Sequence, residues 1–277
     1  MLDDMNEHRI DCLTDPWLEP YRDLRHKNWI EASGWFIAEG PLLTERLLNS
    51  DYACHSVLLD DRHYARFRPL IPASVPVLRC PQELVERILG FNFHRGVLAC
   101  GIRKQPQSLE DALAKEQEVG KRTPVVVLHG VQDPENIGGI LRTSAALGIE
   151  TVVIGPGCAD PLSRRSLRVS MGNALKLQLV RCHRLERALS ALRASGFTIV
   201  ATSLGPAAET LEDYRCPERL AVLFGNERHG LPNHLLQQSD VLLRIEMADG
   251  VDSLNVGVAA GIILHYLSRI APRVRWE

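Results

Sequence analysis

The sequence predicts an α/β protein, a parallel sheet with helices on both faces preceded by a second, smaller α/β domain. Three observations carry that prediction. Five apolar runs of buried-strand length, "PVVVLHG" (124–130), "TVVIG" (151–155), "FTIVA" (197–201), "LAVLFG" (220–225) and "VLLRIEM" (241–247), fill the C-terminal half. Helical stretches separate most of them, the alternation that a covered parallel sheet produces. Upstream, shorter strand and helix signals alternate within about 85 residues, a usual domain size. A length of 277 residues with 45% hydrophobic content supports cores of this extent.

Taken in order, residues 1–20 carry Asp, Glu and Pro with little apolar periodicity and are expected to form a loosely ordered lead-in. Residues 21–104 make the small α/β domain. "GWFIAEG" and "HSVLLDD" read as strands, and "PLLTERLLNS" between them as a helix opened by Pro41. "PQELVERILG" is a second Pro-initiated helix closed by Gly90, and "RGVLACGI" returns as a strand. Residues 105–123 lie in the polar tract "KQPQSLEDALAKEQEVGKRTP", a linker with a short helical piece. Residues 124–277 then form the parallel-sheet domain.

Composition narrows the function. The formal net charge of −2 argues against nucleic-acid binding by bulk electrostatics. Locally the picture differs, because Thr151–Arg187 holds seven Lys or Arg against Asp160 and Glu186, a patch that could meet phosphates but that, taken alone, a solvated surface explains better. No apolar run approaches the eighteen or so residues of a membrane span, and the acidic opening "MLDDMNEHRIDCLTD" lacks the basic and apolar regions of a signal peptide. A cytoplasmic protein with no membrane contact is expected. The seven cysteines are scattered, with no C-x-x-C pair, and read as reduced, packed thiols with no metal site.

In an open parallel sheet the ligand crevice lies beyond the carboxyl ends of the strands. Three segments follow such ends. "VQDPENIGGILRTSAALG" is not a G-x-G-x-x-G loop, and its small residues suit close helix packing, but Arg142 has no carboxylate three or four positions away on either side. In "GNERHGLP", Gly225 ends a strand and Glu227 follows within two residues, either as an exposed glutamate of the turn or, in the functional reading, as the expected partner of Arg142 across adjacent strand ends. In "MADGVDSLNVGVAAGIILHYL", Asp252 or Ser253 is the expected helix cap, and Asn255 is an amide at the first turn of a buried helix that needs partners.

Together "NIGGILR", "GNERHGL" and "GVDSLNVGVAAG", each at a strand end and in this order, resemble the three signature motifs of the SpoU/TrmH family of RNA ribose 2′-O-methyltransferases, within the SPOUT superfamily. "SMGNALKLQLV" (170–180) resembles the family's stretch between the first two motifs, and "GWFIAEG" with "FHRGVLACG" its small N-terminal substrate-binding domain. The resemblance implies a C-terminal trefoil knot, a homodimer, and S-adenosyl-L-methionine held near Thr202, Gly225, Ile245, Met247 and Leu254. It makes Asn136, Arg142, Glu227, Ser253 and Asn255 the active-site candidates. One departure stands out: where the family usually has Pro before the Met of the third motif, this chain has Glu246, expected to point outward.

The function implied is methyl transfer to a ribose 2′-hydroxyl of RNA, rRNA ahead of tRNA. Arginine stays protonated, so Arg142 is expected to activate the hydroxyl and its neighbouring phosphate electrostatically, with Glu227 orienting it. The alternative from another class is a non-catalytic RNA-binding or ribosome-assembly factor on the same scaffold.

Overall fold

The computed structural model describes residues 6–22, 24, 33–89, 96–118 and 124–270. They divide into two compact units, 1–105 with 162–176, and 106–161 with 177–277.

The first unit is built on a five-stranded sheet of order β1-β4-β3-β5-β2, comprising β1 (Glu7–Arg9), β2 (Trp35–Glu39), β3 (Cys54–Asp60), β4 (Val77–Cys80) and β5 (Val97–Ile102). β1, β4 and β3 run parallel, and β5 is antiparallel to both β3 and β2. Helix α1 (Pro41–Leu48) starts at Pro41, whose missing N–H is one that a first helical turn leaves unpaired anyway. A short helix α2 (Tyr64–Phe67) follows β3. Helix α3 (Gln82–Leu89) begins just after Pro81; the expected stop at Gly90 lies outside the described residues.

The lead-in expected at 1–20 is not loose where it is described. β1 pairs with β4 from Glu7 to Arg9, and a 3-10 turn over Pro16–Tyr21 buries Leu18 and Tyr21 in the same apolar cluster as Ile10, Ile37, Leu58, Leu78 and Leu98. The Tyr21 hydroxyl donates to the Ser56 carbonyl at 2.9 Å, which satisfies its polar end inside the core. Isolated apolar residues spaced by polar ones give no periodic signal, yet Ile10, Leu18 and Tyr21 are buried.

Residues 162–176 group with this first unit although they fall inside the span 124–277. Within them α6 (Arg164–Val169) is capped by Ser163, whose Oγ accepts from the Ser166 amide at 3.2 Å. Arg164 Nη2 and Arg168 Nη2 reach the buried Glu39 carboxylate at 2.6 and 3.1 Å, and the Arg46 guanidinium donates to the Met171 carbonyl. Two of the seven basic residues between Thr151 and Arg187, Arg164 and Arg168, are therefore used structurally.

The second unit carries seven parallel strands in the order β10-β12-β9-β11-β6-β7-β8. They are β6 (Val125–Leu128), β7 (Thr151–Ile154), β8 (Gln178–Arg181), β9 (Thr198–Thr202), β10 (Glu209–Thr210), β11 (Leu220–Phe224) and β12 (Val241–Arg244). On one face Val125, Val127, Val153, Ile199 and Leu223 join a cluster with Leu109 and Leu113 of α4 (Leu109–Glu118) and Leu185, Leu189 and Leu192 of α7 (Leu185–Ala194). The alternate residues, Val126, Leu128, Val152, Val200 and Val222, point to the other face and are equally buried. Two-sided burial is why these strands read as continuous apolar runs.

Within 105–123, expected to be a linker with a short helical piece, the described helix is α4, and its Leu109, Ala112 and Leu113 are part of the core. Helix α5 (Pro134–Leu147) has Asp133 as its cap, accepting from the Glu135 amide at 2.8 Å, and stops at Gly148 in the left-handed region at φ 79°. It packs against α9 (Val256–His265), while the short α8 (Asn233–Gln237) follows β11. β6 is flanked by β7 on one side and β11 on the other. Chain order reverses there, which opens a crevice at the carboxyl ends of β6 and β11.

Candidate active site at the carboxyl edge of the parallel sheet

The ends of β6 and β11 are tied together by two bonds. The His129 amide donates to the Phe224 carbonyl at 2.9 Å, and the Asn226 side-chain amide donates to the Gly130 carbonyl at 2.7 Å. Asn226 Oδ1 also accepts from the backbone amides of Arg228 and His229 at 2.9 and 3.1 Å, and its backbone closes a tight bridge with Gly230. Gly225 is required beside this turn, since a Cβ there would stand 2.5 Å from the Gly230 carbonyl carbon and the Leu231 nitrogen. The loop that carries Glu227 is thus built by Asn226, a residue to which the sequence reading gave no role. Its signal is an amide at a strand end, with both a donor and an acceptor to satisfy.

Glu227 is held by a chain of amides. Asn136 Nδ2, on the first turn of α5, donates to Glu227 Oε1 at 2.7 Å. Asn255 Nδ2 donates to Asn136 Oδ1 at 2.9 Å, and Asn255 Oδ1 accepts from the amides of Gly257 and Val258 at 2.9 and 3.2 Å. The two ends fix the direction of every link. A carboxylate can only accept and a helix N–H can only donate, so both side-chain amides have one allowed orientation. The positive end of α9 is thereby connected through two amides to a negative carboxylate. Gly257 leaves room for this chain, a Cβ there falling 3.1 Å from Asn255 Oδ1 and 3.6 Å from Asn136 Oδ1.

Two expectations are corrected here. The cap of α9 is Asn255, not Asp252 or Ser253; the helix starts at Val256, and Ser253 is exposed two residues before the cap. The Glu227–Arg142 ion pair is not formed. Arg142 follows Asn136 by six residues, about 9 Å along the helix and about 240° around it, so the two residues project from different sides. Its side chain is exposed, and among the described residues it makes no hydrogen bond or ion pair. Water solvates the guanidinium, so the cost of an unpaired buried charge never arises.

Beside Glu227 lies a pocket of about 560 Å³. Thr202, Gly225, Ile245, Met247, Ser253 and Leu254 all line it, so the five expected cofactor residues meet in one place with Glu227. Asn136, Asn255 and Arg142 are not in its wall; the two asparagines reach it through Glu227. The sequence reading missed Phe224, Leu231, Leu243, Val256 and Ile263, which supply apolar wall, and Arg244, whose buried Nε has no hydrogen-bond partner. β12 ends at Arg244, three residues short of the expected strand, which frees Ile245 and Met247 for the pocket. Glu246 between them is exposed and absent from the lining. Among the described residues no group of three or more His, Cys, Asp or Glu gathers as a metal site, and no helix is long and apolar enough to cross a membrane.

Known proteins resemble this chain in sequence and in fold. An uncharacterized tRNA/rRNA methyltransferase of Mycobacterium tuberculosis is 38% identical, over 92% of this chain and 89% of that protein. The 23S rRNA (guanosine-2′-O-)-methyltransferase RlmB of Acinetobacter baylyi is 30% identical over 76% of this chain and 85% of its own length. In fold, the chain is similar to an AdoMet-bound rRNA methyltransferase from Sinorhizobium meliloti, with a TM-score of 0.81 at 24% identity over 95% of this chain and 98% of that one. A model of the SpoU rRNA methylase family matches residues 123–265, from just before β6 to the end of α9, and so contains Asn136, Glu227, Asn255 and the pocket they adjoin. By that match and by the 38% identity along nearly the whole chain, this protein belongs to the SpoU rRNA methylase family.

Proposed function

We propose that this protein methylates a ribose 2′-hydroxyl of RNA, with S-adenosyl-L-methionine as donor and rRNA as substrate ahead of tRNA. The observation that carries the reading is the directed chain from α9 through Asn255 and Asn136 to Glu227, which lines a pocket with both apolar and polar walls. The residues present suit that donor: apolar walls for an adenosine, the carboxylate of Glu227 near a cationic group, and at Arg244 a buried donor with no partner. When bound, S-adenosylmethionine supplies an electrophilic methyl group on a sulfonium.

The protein's own residues would then do the following. Asn136 occupies one Glu227 oxygen and fixes the carboxylate's rotation, leaving the second oxygen to accept a hydrogen bond from the substrate hydroxyl. Arg142, charged and unpaired on the same helix as Asn136 but on a different side of it, acts as a cationic partner for substrate phosphate beyond the pocket wall. Thr202, Gly225, Ile245, Met247 and Leu254 hold the donor, and Ser253 with Asn255 shapes the entrance.

The same reading includes a C-terminal trefoil knot, supported by the placement of β11 between β9 and β6 and by the packing of α9 on α5. It includes a homodimer in the cytoplasm, and RNA binding by the first unit. Support for that binding comes from a row of partly exposed rings in which His8 stacks on Trp17 at 4.4 Å and His55 lies 5.9 Å from Trp17 and 5.4 Å from Trp35. The similarity to a 23S rRNA guanosine methyltransferase favours rRNA.

The test is incorporation of labelled methyl into total RNA from a strain lacking the gene, followed by mapping of 2′-O-methyl sites. Incorporation by the intact protein and its loss in Glu227→Ala support the proposal. RNA binding without any methyl transfer would favour the non-catalytic factor instead.

A further inference from the structure

A second cavity, of about 630 Å³, opens at the carboxyl ends of β6, β7 and β8. His129, His183, Arg184, Arg187 and His234 line it, with Glu186 as its one acid. Glu186 already has a partner, His234 Nε2 at 3.1 Å, and both side chains are about half exposed. These two arginines differ from Arg181 and Arg193 of the same unit. Arg181 is spent on Asp160 at 2.6 Å and Arg193 on Asp240 at 2.9 Å, whereas Arg184 and Arg187 have no hydrogen-bonding or charged side-chain partner among the described residues. Two unspent guanidiniums, with histidines between them, converge on one concave surface.

Its location ties it to the candidate active site. α8 separates the two cavities: Asn233 and Leu236 face the pocket beside Glu227, and His234 and Leu235 face this one. His129 lines the second cavity, and the next residue, Gly130, accepts the Asn226 bond that builds the Glu227 loop. A polyanionic strand at the Glu227 loop would pass within reach of this surface.

We infer that the Arg184–Arg187 cavity is a phosphate-binding subsite for the backbone of the RNA substrate. The inference rests on the proposed RNA methylation and extends it to a second set of residues. Guanidinium forks match phosphate oxygens, and a cavity focuses their field more than a flat surface does. No base edge need be read there, so the subsite contributes affinity and register and leaves sequence choice to other contacts.

The test is the salt dependence of binding between the full chain and a mixed-sequence single-stranded RNA oligonucleotide, over 50–200 mM salt as an order-of-magnitude range. Removing two phosphate contacts in Arg184→Gln/Arg187→Gln is expected to reduce the slope of log affinity against log salt by about 1.4. Arg184→Lys/Arg187→Lys should restore most of it. Arg215→Gln, an exposed charge in the same unit but outside the cavity, measures the effect of bulk charge. Binding of S-adenosylmethionine, followed by calorimetry, should be unchanged in all variants. A double variant whose slope falls no more per charge than that of Arg215→Gln overturns the subsite while leaving the methylation reading intact. An unaltered chain that binds S-adenosylmethionine but shows no salt-sensitive RNA affinity overturns the subsite and the RNA substrate together.

Discussion

The side-chain amide of Asn136 donates to the carboxylate of Glu227 at 2.7 Å across a separation of 91 residues, and it is Asn136, not Arg142, that the carboxylate engages. The pair joins the first turn of α5 to the loop after β11 only because β6 and β11 are neighbours in the sheet. Removing the carboxylate in Glu227→Ala should lower the methyl-transfer rate by on the order of 10²-fold or more, with little change in melting temperature because the side chain is exposed. An active Glu227→Ala protein would remove Glu227 from the chemistry.

Asn255 has two separable duties, and different substitutions should divide them. Asn255→Ala loses the cap of α9 and should cost about 1 kcal/mol of stability. Asn255→Asp retains a good cap but has no N–H to give Asn136, so it should keep its melting temperature and still lose activity. Thermal unfolding and single-turnover methyl transfer on both variants would separate the roles; equal activity in Asn255→Asp and the unaltered protein would break the proposed chain.

Gly225→Ala should be disabling for steric reasons. The new methyl would stand 2.5 Å from backbone atoms of Gly230 and Leu231, so the loop must move rather than a flexible side chain. We expect a destabilisation of about 1–3 kcal/mol and a large loss of S-adenosylmethionine affinity, both measurable by calorimetry.

Glu39 in the first unit is buried and binds two arginines, Arg164 and Arg168. Glu39→Ala leaves those charges with a lost partner and should lower stability by about 3 kcal/mol, read as a drop in the urea midpoint. An unchanged midpoint would show that residues 162–176 are held by something other than this carboxylate.

Stability should fall in alkali through buried thiols. Burial pushes Cys54 and Cys80 up from 9.0 to about 12, and it raises Cys100 and Tyr21 as well. A raised folded pKa favours the protonated form in the native state. The stabilisation is therefore fully present below pH 9 and is lost as pH rises toward 12, where the unfolded chain has already released these protons. Urea unfolding across that window should show the loss, and replacing Cys54 and Cys80 by Ala should flatten it.

Much of the second unit was legible because its strands are buried on both faces. Val125–Leu128, Thr151–Ile154 and Leu220–Phe224 contain almost nothing but apolar residues, and such a run has few other uses. β4 and β8 escaped notice because they are four residues long with an arginine each, and β10 because it has only two residues. The glycines and amides of the three motifs were visible as residue types, but their pairings were not. Helix geometry turns Arg142 away from the Asn136 side, a fact available from spacing alone once α5 is known to run through both residues.

By itself, then, the sequence determined the parallel α/β architecture of the second unit, because hydrophobic period is a local property, while Thr202, Gly225, Ile245, Met247 and Leu254 were singled out by the resemblance of its motifs to a known family. Only the tertiary structure decided that Glu227 pairs with Asn136, that Asn255 rather than Ser253 caps α9, and that the stretches 7–21 and 109–113 belong to cores. Those outcomes depend on which strand ends become neighbours and which faces are covered. Such choices are made between residues far apart in the chain, where no local pattern records them.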